Sequence, residues 1–425
     1  MSRVLFTWEL GAHFGHLVRQ LPLARELHRR GHELLFAVCD LAAAQAVLGQ
    51  EGFAFVMAPA PRMQEMRSED STVYAELLAG SGFGELTALR AGASGWLHLF
   101  GLFRPDVLVA DHAPLSLFAA RLAGLPTVHL AMGFEMPPGQ DGALPVLREW
   151  LKPDPEATAE LEREVLGYMN ILCVEHDRPP YDRLADLYKT DVPLLATFPE
   201  IDHFPRRGEE ARYIGPLFAS ADGSVETWPE GEGAKIFVYL RPDAYTGRIL
   251  EALRQSGDRV VAVIPGLDAR VISMYRSDRF RIHTSPVRLR GLADLADLTV
   301  IYTGHGMVSQ ALLAGVPLLM IPNNLEQVLL TQRIERLGAG IGMLREQVPE
   351  KFQAALDALK TDDRFRAVAR KFAAKYQAYD QAKVIERLAN TIERLPAARS
   401  KQAAAPSGQA VSPPSRPADA RTTVH

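Results

Sequence analysis

Residues 4–38 restrict the fold more than any other stretch of this chain. Val4-Leu5-Phe6-Thr7-Trp8 is a short uncharged run without alternation, the pattern of a strand covered on both faces. A loop runs from Gly11 to Gly15. Over residues 17–30 apolar side chains recur at helical spacing. Leu17, Leu21, Leu23, Ala24 and Leu27 share one side, and Arg25, Glu26, Arg29 and Arg30 the other. Gly31 stands where a helix stops, and residues 33–38 form a second apolar run. A strand, a crossover helix and a second strand predict a parallel sheet and an α/β fold.

The unit recurs. Asp106-Val107-Leu108-Val109-Ala110 ends at Asp111, with a helix over 115–122, Gly124, and a strand over 127–131. A second series opens at Lys235. It has strands at 236–240, 260–264, 279–284, 298–302 and 316–321, and helices at 245–256 and 308–314. At 425 residues the chain is too long for one ordinary core. The reading is therefore a Rossmann-like domain over 1–205, a linker over 206–234 and a second Rossmann-like domain over 235–375. A terminal helix over 376–395 and an Ala/Pro/Ser-rich tail over 396–425 follow, the tail expected to be disordered. Residues 60–100 and 134–190 read as helical but less regular.

Composition narrows the function. Hydrophobic residues are 47%, charged residues 23% and the formal net charge is -4, so neither a disordered chain nor a basic nucleic-acid binder is expected. Cys39 and Cys173 lie in separate apolar runs and read as buried reduced thiols. Met1-Ser2-Arg3 leads directly into the first strand with no extended apolar leader, and no run reaches the roughly 18 apolar residues of a membrane span. A cytoplasmic protein is expected, with peripheral membrane contact left open.

Four clusters could carry chemistry. Gly11-Ala12-His13-Phe14-Gly15-His16 follows the first strand, at the carboxyl edge where open α/β sheets bind ligands. His16 there can act as a general base, or simply cap the loop. Asp111 ends a buried strand at the same edge. It either orients a histidine or caps the next helix near Ser116. Tyr302-Thr303-Gly304-His305-Gly306-Met307-Val308-Ser309-Gln310 joins a strand to a helix start, where glycines and free amides suit a diphosphate. Pro322-Asn323-Asn324-Leu325-Glu326-Gln327 offers donors and acceptors for a hydroxyl-rich ligand.

The run from Thr303 to Gly342 resembles the donor-binding segment of the UDP-glycosyltransferase superfamily, glycosyltransferase family 1 and its bacterial relatives. The residues that carry the resemblance are Gly304, Ser309-Gln310-Ala311-Leu312, Ala314-Gly315-Val316-Pro317, Ile321-Pro322, Glu326-Gln327, Arg333 and Leu337-Gly338-Ala339-Gly340. Gly15-His16, Leu23-Ala24-Arg25-Glu26-Leu27, Arg30-Gly31-His32 and Leu122-Ala123-Gly124-Leu125-Pro126 extend it through the first half. The resemblance implies a GT-B fold, two Rossmann-like domains facing across a cleft, with acceptor in the first, nucleotide-sugar in the second, and the helix over 376–395 crossing back to the first. It implies His16 as general base, Asp111 as its partner, and inversion at the anomeric carbon. It places the donor on Arg241, Gly304, His305, Gly306, Met307, Val308, Gln310, Glu326 and Gln327. His13, Phe14 and Phe134 would face a small, apolar acceptor. The resemblance implies no metal and no cofactor beyond the donor substrate, and no Asp-x-Asp motif is present.

Several positions depart from the family pattern. Tyr302-Thr303-Gly304 replaces His-Gly-Gly, with His305 as a substitute for the phosphate-binding histidine. Gln310 replaces a glutamate, Arg19 a proline, and Leu240-Arg241-Pro242 a Ser/Gly-rich turn. Two alternatives stay open on these grounds, a non-catalytic GT-B binding protein and a nucleotide-sugar epimerase. Met63, Met66, Phe83, Trp96, Phe134, Met136 and Trp150 would line an acceptor pocket, or serve only helix packing.

Overall fold

The computed structural model describes residues 1–11, 14–60, 71–139, 142–205, 207–208, 210–219, 226–285 and 296–403. The first half contains β1 (Arg3–Trp8), α1 (Gly15–Arg29), β2 (Glu33–Val38), α2 (Leu41–Val47) and β3 (Ala54–Met57). It continues through α3 (Tyr74–Leu78), α4 (Leu86–Phe103), β4 (Val107–Ala110), α5 (Pro114–Ala123), β5 (Thr127–Ala131), α6 (Pro155–Glu175) and β6 (Val192–Leu195). The second half holds β7 (Lys235–Tyr239), α7 (Thr246–Gln255), β8 (Arg259–Val263), α8 (Ala269–Tyr275), β9 (Phe280–His283) and β10 (Leu298–Ile301). After these come α9 (His305–Leu313), β11 (Leu318–Met320), α10 (Leu325–Leu337), β12 (Gly340–Gly342), α11 (Val348–Thr361), α12 (Asp363–Lys375) and α13 (Gln381–Ala403).

The strands form two six-stranded parallel sheets, ordered β3-β2-β1-β4-β5-β6 and β12-β11-β10-β7-β8-β9. Each sheet reverses direction of winding between its first strand and its fourth, which is where open α/β sheets bind ligands. Register fixes which residues meet there. Thr7 pairs with Ala110, so the loops after β1 and β4 leave the sheet side by side. Ile301 pairs with Tyr239, so the loops after β7 and β10 do the same in the second half.

Alternation along β1 divides the first core. Val4, Phe6 and Trp8 pack with Leu17, Leu21 and Leu27 of α1, while Leu5 packs on the opposite face with Phe118 and Trp96. In the second half Ile236 and Val238 face Leu250 and Leu356, and Phe237 faces Val308 and Leu330. The absence of charge in these runs follows from burial on both faces. Phe83 and Trp96 are fully buried within this packing. For these two the packing reading accounts for the burial. Met63 and Met66 lie outside the described residues. Trp150 is about half exposed.

The last helix belongs to the first half in space. Val384, Leu388, Ala389 and Ile392 of α13 join the core formed by β1 and α1. Arg30 reaches Asn390 at 2.7 Å and Glu393 at 3.0 Å, and His32 contacts Glu393 at 3.0 Å. The helix runs on through Pro396 to Ala403, past the point where the amphipathic pattern fades. Residues 404–425, where disorder is expected, lie outside the described residues. Both cysteines are free, Cys173 buried and Cys39 only partly so. No described helix is long and apolar enough to cross a membrane.

Candidate active site

His16 sits in the first turn of α1, its ring stacked on Trp8 with centroids 5.2 Å apart. A Cβ added at Gly11 would lie 2.6 Å from His16 Nε2, and Gly11 has a φ of 88°. The loop therefore needs glycine there on both counts: the left-handed backbone and the space for the imidazole. His16 Nδ1 lies 3.3 Å from Asp111 Oδ1. Asp111 is completely buried. Burial alone would raise its carboxyl pKa, but Arg19 and His16 hold it well below the usual carboxylate range.

Asp111 does not cap α5. Glu9 does, accepting from the Leu115 amide at 2.9 Å and the Ser116 amide at 2.5 Å. Burial pushes the Glu9 carboxyl up to about 8 despite these amides. The helix-capping alternative for Asp111 is thus filled by another carboxylate, and Asp111 is free to face α1.

Arg19, one turn beyond His16, enters the same buried cluster. Its Nε donates to Asp111 Oδ2 at 3.0 Å, and a terminal nitrogen donates to Asp111 Oδ1. Glu135, in the turn after β5, accepts from Arg19 at 3.1 Å and 3.4 Å. Its Oε1 lies 3.8 Å from His16 Nδ1. His112 completes the group, its ring 5.8 Å from that of His16; burial pushes its pKa down to about 4, so it is neutral. Ligand atoms of His16, His112 and Glu135 all lie within 4.8 Å of one another. Arg19 bonds both carboxylates, so the group is a buried charge network of one guanidinium, two carboxylates and two imidazoles.

Sequence reasoning found His16 and Asp111 but missed Glu135 and His112, and took Arg19 only as a departure. Glu135 lies in a stretch without periodicity.

The acceptor-side expectations separate. His13 lies outside the described residues. Phe14 is about half exposed at the start of α1. Phe134 is buried and links a row of rings from the base toward the second half. Centroid separations are 6.0 Å from His112 to Phe134, 5.9 Å from Phe134 to His203 and 6.3 Å from His203 to His305.

On the other side, α9 begins directly after Gly304, which has no capping side chain. The amides of Met307 and Val308 both bond Gly304 O at 3.0 Å, so they are used within the helix. Their side chains are buried in the second core. Only the first amides of the turn, those of His305 and Gly306, stay available for an anion. The expected diphosphate segment thereby narrows to Gly304, His305 and Gly306. The His305 side chain is not directed to that role. It is buried, shifted well below its ordinary pKa by desolvation, and its Nε2 lies 2.7 Å from Thr197 Oγ1. Thr303 has a φ of 63°, a strained backbone for a β-branched residue, and its hydroxyl accepts from Thr331 at 3.1 Å.

Arg241 lies over the Tyr302 ring, 5.0 Å from its centroid, because β7 and β10 end together. Gln310 donates to Gly306 O at 3.3 Å. Glu326 meets His203 at 2.6 Å, a contact between the two halves. Gln327 accepts from the Asn323 amide at 2.8 Å, while Asn324 caps α10 through the Gln327 amide at 2.9 Å. Its carbonyl oxygen is thus committed to the loop, leaving its NH₂ for a ligand.

Comparison with known proteins agrees with this architecture. Residues 258–390 match the family model for the erythromycin biosynthesis protein CIII-like C-terminal domain. The chain is 26% identical over 397 residues to a PGL/p-HBAD biosynthesis glycosyltransferase of Mycobacterium tuberculosis, covering 88% of each chain. Among solved structures it is similar to CalG4, the calicheamicin glycosyltransferase. The TM-score is 0.68 at 18% identity, over 92% of this chain and 98% of that one. It is also similar to the spinosyn rhamnosyltransferase SpnG complexed with thymidine diphosphate. There the TM-score is 0.65 at 18% identity, over 91% of this chain and 100% of that one. With two parallel sheets wound alike and glycosyltransferases matched along most of its length, the chain is a GT-B glycosyltransferase, similar to those of the bacterial glycosyltransferase superfamily.

Proposed function

We propose that this glycosyltransferase moves a sugar with inversion from a pyrimidine nucleoside diphosphate donor to a hydroxyl of a small, apolar acceptor. The observation that carries the reading is the pairing of His16 Nδ1 with the buried Asp111 carboxylate at 3.3 Å. It leaves Nε2 as the basic atom at the edge where the sheet binds ligands.

In the proposed step His16 Nε2 takes the proton of the acceptor hydroxyl. The acceptor oxygen forms a bond to the anomeric carbon from the face opposite the leaving group. The bond from that carbon to the diphosphate oxygen breaks, and the nucleoside diphosphate leaves with the electron pair. Asp111 stabilises the imidazolium formed on His16. The amides of His305 and Gly306, at the positive end of α9, stabilise charge on the leaving diphosphate. Arg241 stands beside Tyr302 at the same mouth and adds a cation. Gln310, Glu326 and the Gln327 NH₂ would take donor hydroxyls. Phe134 would form one wall of the acceptor site. A donor substrate bound this way needs neither a metal nor a further cofactor. The thymidine diphosphate bound to SpnG supports the choice of a pyrimidine nucleotide.

The test is a thermal-shift screen with dTDP, UDP and GDP, followed by transfer from the matching sugar conjugate to phenolic and macrolactone acceptors. A ligand that binds only the folded state raises the melting midpoint. A rise with dTDP or UDP, and a product of inverted anomeric configuration by NMR coupling constant, is expected. Retained configuration would contradict the mechanism, and a rise with GDP alone would contradict the donor class.

A further inference from the structure

We propose that Glu135 is a positioning residue for the base, supplying the second negative charge that sets the proton affinity of His16, with Arg19 as the cation that balances it. The inference rests on the reading of His16 as base and adds a residue to that machinery.

The geometry of the cluster is the ground for this. Two carboxylates stand beside one imidazole nitrogen, Asp111 Oδ1 at 3.3 Å and Glu135 Oε1 at 3.8 Å from His16 Nδ1. Both are buried, and Arg19 bonds both. With His16 neutral, the four side chains sum to one negative charge; with His16 protonated they sum to zero. Without Glu135 the same two states would carry zero and one positive charge. A buried site disfavours net charge, so Glu135 favours the protonated imidazole and its loss disfavours it.

Arg19 gives Glu135 a second task. One Arg19 terminal nitrogen lies 3.2 Å from His16 Nδ1. A guanidinium only donates, so a bond there would require an unprotonated Nδ1 and would move the imidazole proton to Nε2. That tautomer cannot accept a proton from an acceptor hydroxyl. That nitrogen has two hydrogens, which go to Asp111 Oδ1 and to Glu135 Oε1 at 3.1 Å, so Glu135 takes the one that could face Nδ1 and the Nδ1 proton is left to Asp111. Glu135 is itself fixed, since the Met132 amide donates to its Oε2.

Among the described residues, no other group facing His16 does this work. Glu9 after β1 is held by the amides of α5. Cys39 after β2 is a thiol whose pKa burial pushes up to about 12, donating to Gly11 O at 3.8 Å. His112, after β4, is held neutral by burial, as is His305, brought in from α9.

The experiment is an NMR titration of the full chain carrying ¹³C-labelled histidine. Each imidazole Cε1–H is followed against pH, and the His16 signal is assigned by its loss in His16→Gln. In Glu135→Gln the His16 midpoint is expected to fall by about one unit or more, a tenfold change in proton affinity. Glu135→Asp, which keeps the charge, should restore most of the shift. Arg19→Met should move the midpoint upward. An unchanged His16 midpoint in Glu135→Gln overturns the proposal. Should that variant fail to fold, an unchanged or lower midpoint in Arg19→Met overturns it instead. The base assignment is tested separately by turnover of His16→Gln. Full turnover there with a shifted midpoint in Glu135→Gln would remove the base while leaving the electrostatic coupling intact.

Discussion

At the scale of single residues, the chemistry gathers where β1 and β4 end together. The positions of His16, at the helix start after the first strand's glycine loop, and of Asp111, directly after an apolar strand run, were legible in the sequence, and the paired registers of β1 and β4 bring these loops to one place. Glu135 was not legible, because its partner Arg19 lies 116 residues earlier and nothing local announces the contact. Glu9 shows the same limit from the other side: a cap on α5 was one of two readings of Asp111, and the carboxylate found there comes from the residue after β1. Gly11 gives the sharpest residue-scale prediction. Gly11→Ala would place a methyl 2.6 Å from His16 Nε2 and impose a φ of 88° on an alanine. A loss of about 1 kcal/mol or more in unfolding free energy is expected from the backbone alone. A displaced base should lower kcat/KM by about a hundredfold. Denaturant melts and steady-state kinetics read the two effects independently.

At the scale of elements, the central strands were readable and three edge strands were not. β3, β6 and β12 each lie at the end of a sheet. β6 contains Pro193, an edge-strand residue, and β12 is Gly340-Ile341-Gly342, with too little side chain to show a pattern. β3 is a continuous apolar run, Ala54-Phe55-Val56-Met57, that the reading of strands misses, and its residues are mostly exposed. The donor loop was readable as strand-glycine-helix. Which of its amides remain free was not, because that depends on where the first turn of α9 closes. The partner of α13 is visible only through the family resemblance, which carries this helix back to the first half; nothing in its own pattern says so. Leu388 is 4% exposed, within the core shared with β1 and α1. Leu388→Ala is expected to cost about 2–4 kcal/mol in a urea melt. A change below about 0.5 kcal/mol would mean that α13 does not brace that core in solution.

At the scale of the molecule, the two halves touch through polar and aromatic contacts that no local pattern encodes. Thr197 meets His305 at 2.7 Å, His203 meets Glu326 at 2.6 Å, and Phe198 stacks on Tyr376 with centroids 3.9 Å apart. The whole fold also carries a pH signature. Burial pushes His112 and His129 from 6.5 down to about 4. The unfolded chain takes up these protons near pH 6.5 and the folded chain only near 4, so stability is lost as pH falls through that window. Glu9 opposes this: burial raises it from 4.5 to about 8, a contribution complete below 4.5 and lost as pH rises through 8. Asp111 and Glu135, both lowered, add to the loss on acidification. With His305, likewise lowered by burial, three histidines against one glutamate leave about two net protons between pH 4.5 and 6.5, or about 2.7 kcal/mol per pH unit. Melting temperature should fall by several degrees across that range, and a flat profile would mean that the buried histidines are solvated.

The central claim is that His16 removes the acceptor proton while the second half holds the donor. The direct measurement compares wild type with His16→Ala for dTDP and UDP binding by calorimetry, and for sugar transfer from the donor that binds. Because His16 acts on the acceptor, nucleotide affinity should stay within about twofold while transfer falls by about 10²–10⁴-fold, the range of a lost general base. Equal transfer rates in the two proteins would contradict the assignment of His16. Nucleotide affinity lost together with activity would show that His16 supports the donor site instead.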